Sequence, residues 1–600
     1  MTAAGGEPIP SITDATLTDI ATNGIWGPGP TVNQAAVDTA RALLAVLQGE
    51  TGVTLPAELS KLVADVRQRA SIGLPRIVAH DGVRLSAFSI KLNASDPRPA
   101  VIVPAGWSPY GWLPFMYAYL TLALRGYHVL AYTPRGLGDP ALPSTSEGFI
   151  DVAGPHDWAD GSTVLDYATE MFEPTAIGLL GESYGSGISQ LVAAHDPANR
   201  VQAVVALSTW GNLATSLYDN GTRHLEAVKA LTAFTGGDRD DLADKFDDAT
   251  RQILADFAKG ENLDEVVAWG TERSPEAYAD LTNARGIPTF FSGTWHESLF
   301  PPGQLIDTFA KLTVPKRLNM WIGDHGAPEG PGLAGLLTGL PFPGLLTPMR
   351  EAYDWLDQHL LGKAVPEREP VSNQVMFTYR TAPVPGGGNR ITTPARREQQ
   401  PDWYGGSSER WYPTATGADG DGALSTEPTS GWARDFFAGE LTEATAMDAI
   451  LQTGQKEWFG NPKTYEAAKF DRTKLLVWST DPLTGPDGVA RRIRGAATLQ
   501  LTVRSTKNAT TLVAYLFDLA PDGTARIVTH EPCTVSDLDP GKDRTVNWRL
   551  QPTAYDLPDG HRLALVVNSC DKLYSTASKD STTTVTAPTD NAATLDLPLL

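Results

Sequence analysis

Six short apolar runs, at residues 100–103, 127–132, 176–180, 201–207, 289–291 and 318–322, recur through the first part of the chain with helix-favouring stretches between them. Runs of that length, apolar on both alternating faces, predict buried parallel strands joined by crossover helices. Ahead of them, Arg76 to Ala79, the turn pair Asp81-Gly82 and residues 83–92 alternate as a β-hairpin does. Earlier still, residues 33–47 and 56–69 repeat Ala and Leu at helical spacing, so residues 1–73 are expected to form a helical extension. Residues 212–285 are charged, helix-favouring and without strand signal, which predicts a helical cap inserted between core segments 74–211 and 286–370. Thr347-Pro348 reads as an N-cap followed by proline at the first helical position, opening a last helix over 349–361. From 371 to 600 the pattern turns to Pro, Gly, Thr and Ser punctuation with short alternating segments such as 498–503, 512–517 and 562–567, which predicts an all-β sandwich.

Composition narrows the function classes. A chain of 600 residues with 42% hydrophobic content is long enough for more than one core. Its formal charge of −22 disfavours nucleic acid and anionic membrane, which are gripped by Lys and Arg clusters. No apolar run is long enough to span a bilayer, and Met1 to Pro10 shows no basic segment leading into an apolar one, so the expected location is cytoplasmic, or secreted if a leader has been removed. Cys533 and Cys570 read as two ordinary thiols, with a single bridge as the alternative. No histidine or acid cluster has metal-ligand spacing, so neither a metal nor another cofactor is expected.

The chemistry sits in Gly181-Glu182-Ser183-Tyr184-Gly185, between an apolar strand pattern and a helical one. Strand, tight turn and helix are the context in which a G-x-S-x-G serine is presented as a nucleophile, and this points to an α/β-hydrolase fold. A serine hydroxyl needs a base to take its proton. Of the histidines beyond Ser183, His195, His224, His359, His530 and His561 fall on helices, in the cap or in the β region, whereas His296 and His325 each follow a predicted strand end. An acid preceding the histidine in sequence suits Glu297 with His325. The alternative base His296 would need Asp219, and Asp324 is a rival acid whose side chain points away from its neighbour His325 on an extended segment. For the oxyanion, donors are expected from the Tyr184 amide and from the loop 104–110, through the Trp107 amide or the Tyr110 hydroxyl. Core packing is the alternative reading of both aromatics.

These residues resemble peptidase family S15, also called CocE/NonD, which contains X-prolyl dipeptidyl peptidases, cocaine esterase and α-amino acid ester hydrolases. The similarity runs from about Leu74 to the C-terminus. It is carried by Gly181 to Ser186, Pro109-Tyr110, Arg135-Gly136-Leu137-Gly138, Gly293-Thr294-Trp295-His296-Glu297 and Ile322-Gly323-Asp324-His325. The chain departs from the family pattern in two places: the second glycine of the serine motif comes one position early, and Glu297 stands where the family has Asp. The resemblance implies a catalytic triad of Ser183, Glu297 and His325, with Tyr110 as an oxyanion donor. It also implies a C-terminal jelly roll, galactose-binding-like, with Trp478 to Leu483 opening its main sheet and Gly560 to Leu563 in a late strand.

The implied activity is hydrolysis of a small ester or amide, or of a short peptide, through an acyl-enzyme. The alternatives are acyl transfer by the same triad and a catalytically silent binding protein. Release of dipeptides would require carboxylates for a free ammonium, for which Asp238, Asp240, Asp241, Asp247 and Asp248 in the cap are candidates, although such runs are more often solvated helix faces. Residues 326–346 could shape the pocket or simply pack, and a homo-oligomer is neither required nor excluded.

Overall fold

A computed structural model describes residues 30–235, 245–335, 344–417 and 420–600. Two helices come first, α1 (Pro30–Leu47) and α2 (Ala57–Arg67). The first sheet then takes β1 (Ala70–Gly73), β2 (Arg76–Val78), β3 (Arg84–Leu92), β4 (Ala100–Pro104), β5 (His128–Tyr132), β6 (Ile177–Glu182) and β7 (Val201–Leu207), with α3 (Met116–Arg125), α4 (Pro155–Phe172) and α5 (Tyr184–His195) as crossovers. The cap contributes α6 (Leu213–Leu217), α7 (Leu225–Ala233), α8 (Asp248–Lys259), α9 (Leu263–Glu272) and α10 (Ala279–Arg285). The sheet resumes with β8 (Thr289–Thr294), α11 (Pro302–Lys311), β9 (Lys316–Trp321), α12 (Gly330–Ala334), α13 (Thr347–Leu361), β10 (Val371–Gln374) and β11 (Arg397–Gln400).

Strand order is β1-β3-β5-β4-β6-β7-β8-β9-β10-β11, with β2 paired to β3. From β5 to β10 neighbours are parallel, and both edges are antiparallel. Both faces are buried. On β4, Ala100 and Ile102 enter one core while Val101 and Val103 enter the other; on β7, Val204 and Ala206 part in the same way from Val205 and Leu207. That is why these strands read as unbroken apolar runs.

Several expectations shift at their margins. The sheet starts before residue 74, because Ala70–Gly73 pairs with β3. The last helix includes Thr347, and Leu346 takes the cap position assigned to Thr347. The cap also contains a small hairpin, Tyr218–Asp219 with Thr222–Arg223, which docks on the β region through Thr534 N–H donating to Asn220 O at 2.8 Å. Residues after 370 supply the last two strands of the first sheet before the β region begins.

Strands between Ser407 and Leu599 form the second, fourteen-stranded sheet system. Thr510–Leu519 pairs antiparallel with Thr524–Val535 and Arg562–Asn568, and Thr498–Ser505 with Arg544–Arg549 and Ser581–Ala587. The chain is therefore an α/β-hydrolase domain followed by an all-β domain. Leu499, Leu501 and Leu512 belong to the same apolar core as Trp295, Leu299 and Leu305, so the two parts are packed as one solid. Cys533 and Cys570 are both free thiols.

Candidate active site

Ser183 occupies the turn between β6 and α5 at φ 54°, ψ −123°, a strained conformation for a residue with a Cβ. The flanking glycines make the turn possible. A Cβ on Gly181 would lie 2.0 Å from Gly185 O, and one on Gly185 would lie 2.1 Å from Pro104 O. No larger residue fits between strand, turn and helix at these two points. Because Tyr184 opens α5, its amide belongs to the helix N-terminus, where N–H groups have no intrahelical partner.

Glu297 follows β8 and His325 follows β9, so all three side chains rise from C-terminal ends of parallel strands, the end at which open α/β sheets present their sites. Ser183 Oγ lies 2.8 Å from His325 Nε2, and His325 Nδ1 lies 2.9 Å from Glu297 Oε1. Phe300 presses edge-on against the imidazole, ring centroids 5.4 Å apart. The rivals go elsewhere. His296 forms an ion pair at 2.9 Å with Glu457 of the β domain. Asp219 sits in the cap hairpin among Arg549 and Asp307. Asp324 accepts from the amides of Ser298 and His325, both at 2.7 Å, and so ties together the two loops that carry Glu297 and His325.

The dyad opens into a cavity of about 190 Å³. One side is the loop Gly106 to Gly111, continued by Pro114 and Phe115; the cap adds Leu231 and Phe234; Leu299, with Leu451 and Gln455 from the β domain, closes another side. Tyr110 lines the cavity, and its hydroxyl makes no hydrogen bond among the described residues. Trp107 lines it too, but its indole N–H donates to Leu231 O at 2.8 Å and its ring meets Tyr184 edge-on, so here the packing role and the pocket role coincide. Gln455 also donates to His325 O at 3.2 Å, which brings the β domain into direct contact with the loop that carries His325.

Residues 81–327 match the family X-Pro dipeptidyl-peptidase (S15 family), and residues 367–596 match the X-Pro dipeptidyl-peptidase C-terminal non-catalytic domain. The chain belongs to the S15 peptidase family. It is accordingly a serine hydrolase. No curated protein matches its sequence. Among solved structures, an aminopeptidase from a marine sediment Thaumarchaeota archaeon is 14% identical with TM-score 0.65, covering 89% of this chain and 96% of that one. An α-amino acid ester hydrolase is 16% identical with TM-score 0.65, covering 89% and 97%. A CocE/NonD family hydrolase from Staphylococcus aureus is 12% identical with TM-score 0.64, covering 88% and 94%. At these identities the structures share the fold.

Two carboxylates of this S15 hydrolase were not singled out from its sequence. Glu182, the variable residue of the serine motif, is buried with its carboxylate facing the cavity, Oε1 3.9 Å from His325 Nε2. Burial pushes its pKa up to about 7. Glu329 is wholly buried behind His325, accepting from Ser208 Oγ at 3.0 Å and from Ser292 Oγ, while Ser208 in turn accepts from Gly326 N–H at 2.9 Å. It fastens the segment beyond His325 to the ends of β7 and β8. Burial raises its pKa as well. For His325, burial alone would lower the pKa, but Glu297, then Glu182 and Asp324, outweigh it and hold the imidazole up at about 9. Glu182 was visible as a residue type at a motif position, and only its inward rotamer shows that it faces the site. Glu329 gave no local signal.

Among the described residues, neither Asp247 nor Asp248 of the cap lines the cavity. Asp238, Asp240 and Asp241 lie outside the described residues; Asp247 caps α8 by accepting from Thr250 N–H at 2.8 Å, and Asp248 pairs with Arg251. In the segment 326–346, Ala327, Leu333 and Ala334 are buried in the cores, and residues 336–343 are not described. Among the described residues, His80, Asp81 and His156 are the one group close enough to hold a metal ion; Asp81 is already bound by Arg135 at 3.0 Å, and none of the three lines the cavity. No helix of the described residues is long and apolar enough to cross a membrane.

Proposed function

We propose that this hydrolase cleaves small esters or amides with an apolar acyl group, using Ser183 as nucleophile, His325 as general base and Glu297 as the acid that orients the imidazole. The observation that carries the reading is the continuous chain of contacts, 2.8 Å and then 2.9 Å, from Ser183 through His325 to Glu297, opening on a mostly apolar cavity. In this reading His325 Nε2 takes the Ser183 proton as Oγ bonds to the carbonyl carbon. The oxyanion is received by the Tyr184 amide and the Tyr110 hydroxyl, with the Trp107 amide as a third donor. His325 returns the proton to the departing alcohol or amine. Water then attacks the acyl-enzyme by the same route. Neither step needs a cofactor.

One observation favours a second reading, release of a dipeptide from an X-Pro N-terminus. Glu182 places a carboxylate in the cavity wall beside the nucleophile, where a substrate ammonium would find its counter-charge. Rates of p-nitrophenyl butyrate and Ala-Pro-p-nitroanilide cleavage by the wild type and by Ser183→Ala separate the two. Turnover of the ester but not the anilide, lost in S183A, is the expected result. Anilide turnover lost in S183A would favour the peptidase, and activity that survives in S183A would refute both.

A further inference from the structure

The family match begins at residue 81, after α1 and α2, so nothing in it accounts for the N-terminal helices. Yet Val37 of α1 lines the same cavity as Ser183 and His325. The helix is held there by its own sequence. Val37, Ala40, Leu43, Leu44 and Leu47 are buried at helical spacing, one apolar stripe turned toward the domain. That stripe shares a core with Leu113, Phe115 and Met116 of the turn and helix that follow the Tyr110 loop. Phe115 lines the cavity as well, so wall and helix are packed as one unit. Val37 is only 3% exposed, which leaves it little room to move aside for a longer ligand.

We infer that α1 is a specificity element: Val37 limits how far an apolar substrate chain extends from the acyl carbon, and an element outside the S15 match thereby sets the substrate range of the S15 site. The inference rests on the serine-hydrolase reading of Ser183. Its substrate class is a carboxylic ester or amide whose uncharged chain fills the space between Tyr110, Phe115, Phe234 and Val37.

The test is the rate at which alkyl fluorophosphonates of increasing chain length label Ser183, followed by mass spectrometry on the full chain. This readout does not require knowledge of the natural substrate. Val37→Ala is expected to raise the ratio of octyl to ethyl labelling roughly fivefold to tenfold, and Val37→Phe to lower it about tenfold, since one methylene in an apolar pocket discriminates by about that factor or more. Ethyl labelling is the internal reference in each variant, so a change in Ser183 reactivity common to both probes cancels from the ratio. Opposite shifts support the wall, because general loosening of the fold would move both variants the same way. Should Val37→Phe fail to fold, Val37→Ala with Val37→Leu supplies the opposed pair. A ratio that is flat, or that moves in one direction in both variants, overturns the inference. Absence of any Ser183 labelling in the wild type would instead overturn the catalytic reading on which it rests.

Discussion

Two histidine–carboxylate pairs stand at the ends of neighbouring strands and have different fates. After β8 come His296 and Glu297; after β9 come Asp324 and His325. His325 takes Glu297 from the other loop and reaches Ser183, whereas His296 turns to Glu457 in the β domain. Each histidine thus meets a glutamate. What differs is the setting: His325 reaches a serine hydroxyl in a cavity, whereas His296 reaches a buried glutamate of the β domain. Glu457 depends heavily on that one contact, since neither of its oxygens has an aligned hydrogen bond. A buried carboxylate of that kind is costly to leave alone. One pair reaches the serine hydroxyl, as the proposed proton transfer requires, and the other joins the first domain to the β domain that supplies Leu451 and Gln455 to the cavity.

The sharpest way to break the comparison is to remove each histidine. His325→Ala is expected to lower kcat for an activated ester by roughly 10³-fold or more, as does loss of a triad base generally. His296→Ala should leave kcat of the folded enzyme within about threefold, while lowering the melting temperature, because Glu457 is left buried without a counter-charge. Equal loss of kcat in both variants would mean that the assignment of the base is wrong.

Next in size is Glu297→Gln. It keeps the shape but lets the amide present a donor to Nδ1, disturbing the tautomer that the base requires, and roughly 10²- to 10⁴-fold in kcat is expected to go. The matching change on the other pair, Glu457→Gln, should show only in thermal stability, measured by calorimetry.

A smaller effect concerns pH. The base works only as neutral imidazole, so kcat/KM should rise with pH through the elevated His325 pKa, near 9. Glu182→Gln removes a negative charge 3.9 Å from Nε2 and should move that limb down by about one unit. A limb that stays fixed in the variant would show that Glu182 is not felt by the base.

Smallest is a stability dependence of the second pair. The Glu457 charge outweighs burial and raises the His296 pKa in the folded state, so the protonated pair stabilises the fold fully below the unfolded histidine pKa and is lost as pH rises through the folded one. His296→Asn should flatten part of the fall in melting temperature above neutrality. An unchanged slope would assign that fall to other groups.

Much of this was legible beforehand. The parallel strands announce themselves because both faces of each are buried, and residues 201–207 were read to the residue. Ser183 was recognisable because a strained turn admits only small neighbours, which leaves glycines in a fixed pattern. Chain order and strand ends pointed to His325 and Glu297, while leaving His296, Asp219 and Asp324 as rivals. The first sheet's edges at Ala70–Gly73 and Arg397–Gln400 were harder to read, since short edge strands carry little apolar signal and owe their pairing to a neighbour.

The sequence by itself therefore determined the two-part fold and the serine elbow, because each is written in local spacing or in the sterics of a few adjacent residues. Tertiary structure alone decided which histidine meets the serine, that Glu182 faces the cavity and that Glu329 anchors the segment beyond His325. It also decided that the cavity takes walls from α1, the cap and the β domain. Those facts depend on contacts between segments far apart in the chain, and a rotamer or a packing partner at such a distance leaves no periodic trace along it.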